Sequence, residues 1–175
     1  MGTLRSGRSG EGVSLIGLQA AVYNAVASVH DPEYPGISIV DLGLVENVST
    51  TDTDAASPAM GQVMATIGLV PTFSGCPALA VIATDVHRAV EAVDGVGAVS
   101  VEWLRVPVWT PDRVTDAGRA ALAEDFTVAV AIGSAEPACP RCGGSTTEQS
   151  MFGPSRCRSV RRCQHCSENL EVMRV

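Results

Sequence analysis

Four cysteines constrain this chain most. Cys139 and Cys142 stand in "CPRC", and Cys163 and Cys166 stand in "CQHC", giving the spacing C-x2-C-x20-C-x2-C. Two turns of this kind present four sulfurs at the corners of a tetrahedron around one ion. The segment 139–175 holds too little apolar surface to fold unaided, so metal binding would supply its folding free energy. The spacing therefore predicts a zinc ribbon over 139–175. A rubredoxin-like iron site uses similar ligands, and four free thiols is the reading that the paired spacing argues against.

Two further cysteines lie outside that pattern. Cys157 sits within the ribbon, where a closed zinc site has no need of it. It reads either as a small buried hydrophobe or as a spare thiol facing a ligand or partner. His165 reads as a loop residue of the second knuckle. The arginines at 156, 158, 161 and 162 read as a solvated face, with docking to an acidic partner as the alternative.

The charge is unevenly spread. Residues 1–138 carry 6 Arg against 16 Asp and Glu, a net of −10, whereas 139–175 carry 6 Arg against 3 Glu, a net of +3. An acidic body lacks the basic footprint that phosphate binding needs, so no nucleic-acid partner is expected. No apolar run is long enough for a transmembrane helix, and the N-terminus does not read as a signal peptide. A cytoplasmic, reducing compartment is the expectation, where clustered cysteines mean metal before disulfides.

Periodicity divides the rest. Residues 1–13 read as a disordered lead. Apolar side chains at 15, 18, 22, 25, 26 and 29 form a helical stripe with Ser14 as N-cap. Residues 37–49 read as one strand or two short ones around the "DLG" at 41–43, and 50–61 as a polar turn region. The alternation in 62–70 is that of a strand. Residues 77–93 read as a helix, 98–106 as a strand, and 114–125 as a helix capped by Thr115. The order helix–strand–strand–helix–strand–helix predicts a small α+β sandwich over 14–133. A linker at 134–138 would join it to the ribbon, and the main unit would fold without that ribbon.

Cys76 lies in "PTFSGCPAL", at the N-terminal edge of the helix expected from Pro77. Free N–H groups and the helix dipole there favour a thiolate, and Gly75 leaves the approach open. Thr72 and Ser74 add hydroxyls. A buried core cysteine at this position is equally ordinary. "HDPE" contributes Asp31 and Glu33, and "DLG" contributes Asp41; such acidic residues commonly cap and form turns. Beside Cys76 they would raise its pKa, unless a cation sat between them. His87 reads as surface. Trp103 and Trp109 read as packing.

These stretches resemble a known family. "DPEYPGISIVDLGLVENV" and "PTFSGCPALAVIATDV" look like the small α+β domain of SufT-type iron–sulfur assembly factors. With "VPVWTPDRVTDAGRAAL" and the C-terminal ribbon added, the resemblance narrows to the PaaD family, accessory subunits of phenylacetyl-CoA epoxidase. It covers about residues 18–170. It implies a SufT-like sandwich with a C-terminal zinc ribbon, and no turnover of its own. The implied role is maturation or metal loading of a multicomponent oxygenase in phenylacetate catabolism, with its oxygenase and reductase components as partners. The family's motif falls on Asp31, Glu33, Asp41, Thr72, Gly75 and Cys76, which would handle iron or a transient iron–sulfur cluster. Cys139, Cys142, Cys163 and Cys166 would hold structural zinc, and the family also has a cysteine where Cys157 stands. It usually has tryptophan where Arg113 stands. The alternative is a non-catalytic interaction subunit with only the zinc. The reading leaves room for a homodimer.

Overall fold

The computed structural model describes residues 15–52 and 63–174. The expected lead at 1–13, the Ser14 cap and most of the turn region at 50–61 lie outside the described residues.

The apolar stripe becomes the helix α1, Leu15–Ala27, which buries Leu18, Val22 and Val26 on one face and exposes Ile16 on the other. Two short strands follow, β1 at His30–Asp31 and β2 at Tyr34–Ser38, paired antiparallel across the "DPE" turn. The chain then turns at "DLG": the Leu42 N–H donates to Ser38 O at 3.0 Å and the Gly43 N–H to Val40 O at 2.9 Å. Gly43 has φ +69°, and a Cβ there would run into the Arg113 backbone, so only glycine suits the position. Two strands flanking a turn are thus the form that 37–49 takes, with the first starting earlier than expected.

The main sheet has the order β3 (Val45–Asp52), β4 (Val63–Leu69), β5 (Val96–Trp103). β4 is central. It pairs antiparallel with β3 and parallel with β5, and α2, Ala78–Glu91, makes the crossover that parallel strands require. Val63, Ala65, Ile67 and Leu69 alternate into the core, against Ile82, Val86 and Val90 of α2. Trp109 is buried and donates its indole N–H to Leu42 O at 2.9 Å, while His87 is exposed beside Glu91. Thr115 caps α3, Asp116–Phe126, by accepting from the Gly118 N–H at 3.0 Å.

Residues 134–138, the expected linker, lie in irregular chain between two strands of one sheet. After α3 the chain enters β6, Val128–Val130, and β6 pairs parallel with β9, Asn169–Met173. β9 continues antiparallel into β8, Arg158–Cys163, and β8 into β7, Thr146–Ser150. One four-stranded sheet therefore spans the expected linker. Met173, at 1% exposure, belongs to the same apolar cluster as Val22, Ile82 and Leu122. The pairing of β6 with β9 brings the apolar Val128 and Met173 into that core, where both are buried.

Candidate metal centre and thiol recess

The knuckles form as their spacing dictates. The Cys139 N–H donates to Gly144 O at 2.9 Å, and the Gly143 N–H returns to Cys139 O at 2.8 Å, with Gly143 at φ +71°. A Cβ on Gly144 would lie 3.2 Å from Cys163 Sγ and 3.3 Å from Cys142 Sγ, so the turn passes close to the sulfurs. All four Sγ atoms lie within 4.8 Å of one another. Cys139 and Cys166 are 3.7 Å apart, and Cys142 and Cys163 are 3.5 Å apart. A tetrahedron of zinc–sulfur bonds of about 2.3 Å has edges of about 3.8 Å, so the sulfurs fit zinc. The N–H groups of Cys166 and His165, each 3.4 Å from Cys163 Sγ, help hold that thiol down to about 6. Cys166 accepts from the Glu168 N–H, yet Cys142, burial and the other sulfurs push it up to about 12. Four sulfurs this close cannot all ionise without a cation among them.

The second cluster gathers around Cys76. The "DPE" turn closes when Asp31 Oδ1 accepts from the Glu33 N–H at 2.7 Å, which turns the buried Asp31 and the half-exposed Glu33 toward the loop before α2. There, Asp31, Glu33, Tyr34, Thr72, Cys76 and Cys157 line a recess of about 20 Å³, with Met173 also in its wall. An open cleft of about 300 Å³ adjoins it and shares Glu33, Cys76 and Cys157, adding Gly75, Phe152 and Arg156. A larger groove, about 730 Å³, runs beside β7 past Glu136 and Arg161, but no thiol lines it.

Of the residues predicted for this site, Asp31, Glu33, Thr72, Gly75 and Cys76 therefore come together. Asp41 does not. Its Oδ1 accepts from Thr115 Oγ at 2.6 Å and its Oδ2 from Ser38 Oγ at 2.8 Å, so it ties the "DLG" turn to the start of α3. Cys157 is buried and joins Cys76, a meeting that no spacing along the chain could reveal.

Burial pushes the Cys76 thiol up; the Ala78 N–H opposes this, and Glu33, Cys157 and Asp31 add to the upward push. The expected depression by the helix N-terminus is outweighed, because the sulfur is partly desolvated among acidic neighbours. Burial likewise raises Asp31.

Arg158 departs furthest from the solvated face expected of the arginine cluster. Buried on β8, it reaches Glu33 at 2.5 Å and Glu171 at 2.6 Å and lies 4.8 Å from the Tyr34 ring centre. Arg156 lies 5.8 Å from the Phe73 ring centre, Arg161 pairs with Glu136, and Arg162 is exposed. Arg113 donates to Gly43 O at 2.8 Å and pairs with Glu46 at 2.8 Å. Tyr34 is 4% exposed, and its hydroxyl is buried without a hydrogen-bond partner among the described residues.

Comparison with known proteins agrees with this construction. Residues 19–103 match a family described as iron–sulfur cluster assembly protein, and residues 124–174 match the PaaD zinc beta ribbon domain. The second match begins inside α3, upstream of the expected linker. A curated protein of Escherichia coli K12, whose name makes it one of the subunits of a "Putative 1,2-phenylacetyl-CoA epoxidase", is 31% identical over 161 residues, 87% of this chain and 90% of that one. Among solved structures, a domain of unknown function from Bacillus anthracis is 27% identical and superposes with a TM-score of 0.53 over 63% of this chain and 95% of that one. A conserved hypothetical protein from Thermotoga maritima is 30% identical over 58% of this chain and 89% of that one, with a TM-score of 0.45. No helix among the described residues is long and apolar enough to cross a membrane. An assembly-type α+β domain sharing its core with a four-cysteine ribbon, and a relative matched over nearly its whole length, have one common explanation: the chain belongs to the PaaD family.

Proposed function

We propose that this protein is an accessory maturation factor that delivers iron or an iron–sulfur centre to a multicomponent oxygenase. The name of its E. coli relative makes phenylacetyl-CoA epoxidase the favoured client. The carrying observation is the position of Cys76: it opens into a solvent-reachable cleft while lining a recess with Asp31 and Glu33. A thiol and carboxylates suit a borderline cation such as Fe(II), which would relieve the electrostatic pressure that keeps the thiol protonated. The open cleft lets the cargo leave. The ribbon's zinc would be structural and its outer face would meet the oxygenase or reductase components. The chain would carry out no turnover of its own.

A second reading, a pure interaction subunit with zinc alone, draws on the Glu33–Arg158 pair, which already occupies one carboxylate. Oxygenase activity and iron content in cells carrying Cys76→Ser at normal protein levels separate the two. Delivery predicts loss of both with the variant still folded; wild-type values would favour the interaction subunit.

A further inference from the structure

We infer that the free edge of β5 is a self-association surface: a second copy of this chain adds its own β5 antiparallel to it, so that two three-stranded sheets join into one. This holds whether or not the chain delivers iron.

The backbone of β5 is paired on one side only. It is the last strand of its sheet, with no ladder partner beyond it among the described residues. The Leu104 N–H donates to Leu69 O, on β4, at 2.7 Å. Successive residues of a strand turn their N–H and C=O to opposite sides, so Val99, Val101 and Trp103 aim theirs away from β4. The other edges are guarded. On β3, Val48 O accepts from the Gln19 side chain at 2.9 Å and Val45 O from Arg113 at 3.2 Å. β7 is polar and bulged, and β6 has only three residues. β5 has eight residues, no proline, one charge at Glu102, and an irregularity only at its start. Such an edge is a template for another strand.

The side chains agree. Val99, Val101 and Trp103 stand beside the fully buried Ala65, Ile67 and Leu69 of β4, yet stay half-buried because nothing continues the layer. Two grooves flank them, one of about 530 Å³ between Val101 and His87 of α2, and one of about 680 Å³ between Trp103, Leu79 and the exposed Val108. A second copy is the occupant because β5 complements itself. With Val101 on a two-fold axis, Val99 lies opposite Trp103 of the second copy, and the outward groups of all three residues close about six ladder hydrogen bonds. Valine against tryptophan is a stabilising cross-strand pair. On the other face, Ser100 lies opposite Glu102 of the second copy, so the strand's one charge meets a hydroxyl. The next register along would set the two Glu102 carboxylates against each other. At the rim, α2 offers both Arg88 and Glu91, 75% and 70% exposed, so each copy presents both signs to the other. The two-fold closes the pair and leaves no β5 edge free for a filament. The groove at Trp103 shares no lining residue with the Cys76 cleft, which the pairing leaves open.

The test uses full-length, zinc-loaded protein in about 0.15 M salt, which screens the repulsion between two acidic copies beyond about 8 Å. Sedimentation equilibrium should find a dimer. Ser100→Glu should weaken it about 10-fold, because the new carboxylate meets Glu102 of the other copy twice per dimer. Adding Glu102→Lys to that variant should return the affinity to within about 3-fold of wild type, since opposite charges then face each other. Should Ser100→Glu fail to fold, hydrogen exchange on the wild type still decides: the amides of Val99, Val101 and Trp103 should be slowed in concentrated protein and exchange freely on dilution. A monomer at the highest concentration reached overturns the inference, whether those amides are free or are covered by another segment of the same chain. A dimer that Ser100→Glu leaves intact overturns it too. Edge protection that comes only with an added oxygenase component, and without a dimer, assigns β5 to a client strand and overturns self-pairing. The cellular Cys76→Ser assay judges delivery separately.

Discussion

Arg158 of β8 lies 2.5 Å from Glu33 of the "DPE" turn, a charge pair that ties the ribbon sheet to the candidate cargo site. Arg158 is buried, so removing its partners is not free, but it also has Glu171, and Glu33 remains partly solvated. Glu33→Gln should therefore cost about 1 kcal/mol in urea unfolding. A double-mutant cycle with Arg158→Met should show a coupling of about 1 kcal/mol or more. Additive single effects would mean that the pair does not join the two parts.

Met173 should matter to the assembly domain although it lies on the last strand of the ribbon sheet. Met173→Ala should lower stability by about 2–5 kcal/mol, as for other fully buried large-to-small changes. A chain ending at residue 133 should lose this contact and leave β6 unpaired. It should unfold with a shallower urea transition than the full chain. An equally stable, cooperative fragment would support the simple two-part division with a linker at 134–138.

Zinc removal should be felt beyond the knuckles. Metal analysis should find one zinc per chain in the ribbon, and Cys163→Ser should lose it. Because β8 and β9 lead from Cys163 to the core residue Met173, chelation should open 139–173 to protease and also lower the Tm of the main sheet. A chelated protein with unchanged Tm would show that the sheet holds without its metal.

Asp31 gives a pH dependence with a definite sign. Burial raises its pKa in the folded protein above the ordinary 3.8. Its favourable contribution is then complete below 3.8 and is lost as pH rises through the higher folded value. At neutral pH the buried charge opposes folding. Asp31→Asn keeps an acceptor for the Glu33 N–H, so it should raise the Tm at pH 7, with the gap closing on acidification toward pH 4. A gap that widens in acid would reverse the sign and refute the burial argument.

Local features were legible from spacing along the chain. The paired C-x2-C turns could be read because two sulfurs of one knuckle are placed by a few residues of backbone. The Thr115 cap and the alternation in β4 could be read for the same reason: spacing along one element sets which side chains share a face. Which separated segments meet was set by packing instead. Asp31 and Asp41 look alike in sequence, yet one faces Cys76 and the other locks α3. Arg158 and Arg162 sit in one run of arginines, yet the strand buries the first and exposes the second. Cys157 had no pattern to mark it, because Cys76, which lines the same recess, lies in the loop between β4 and α2. Such contacts follow from how β6 and β9 close the core, a long-range pairing fixed by buried apolar area and by no local spacing.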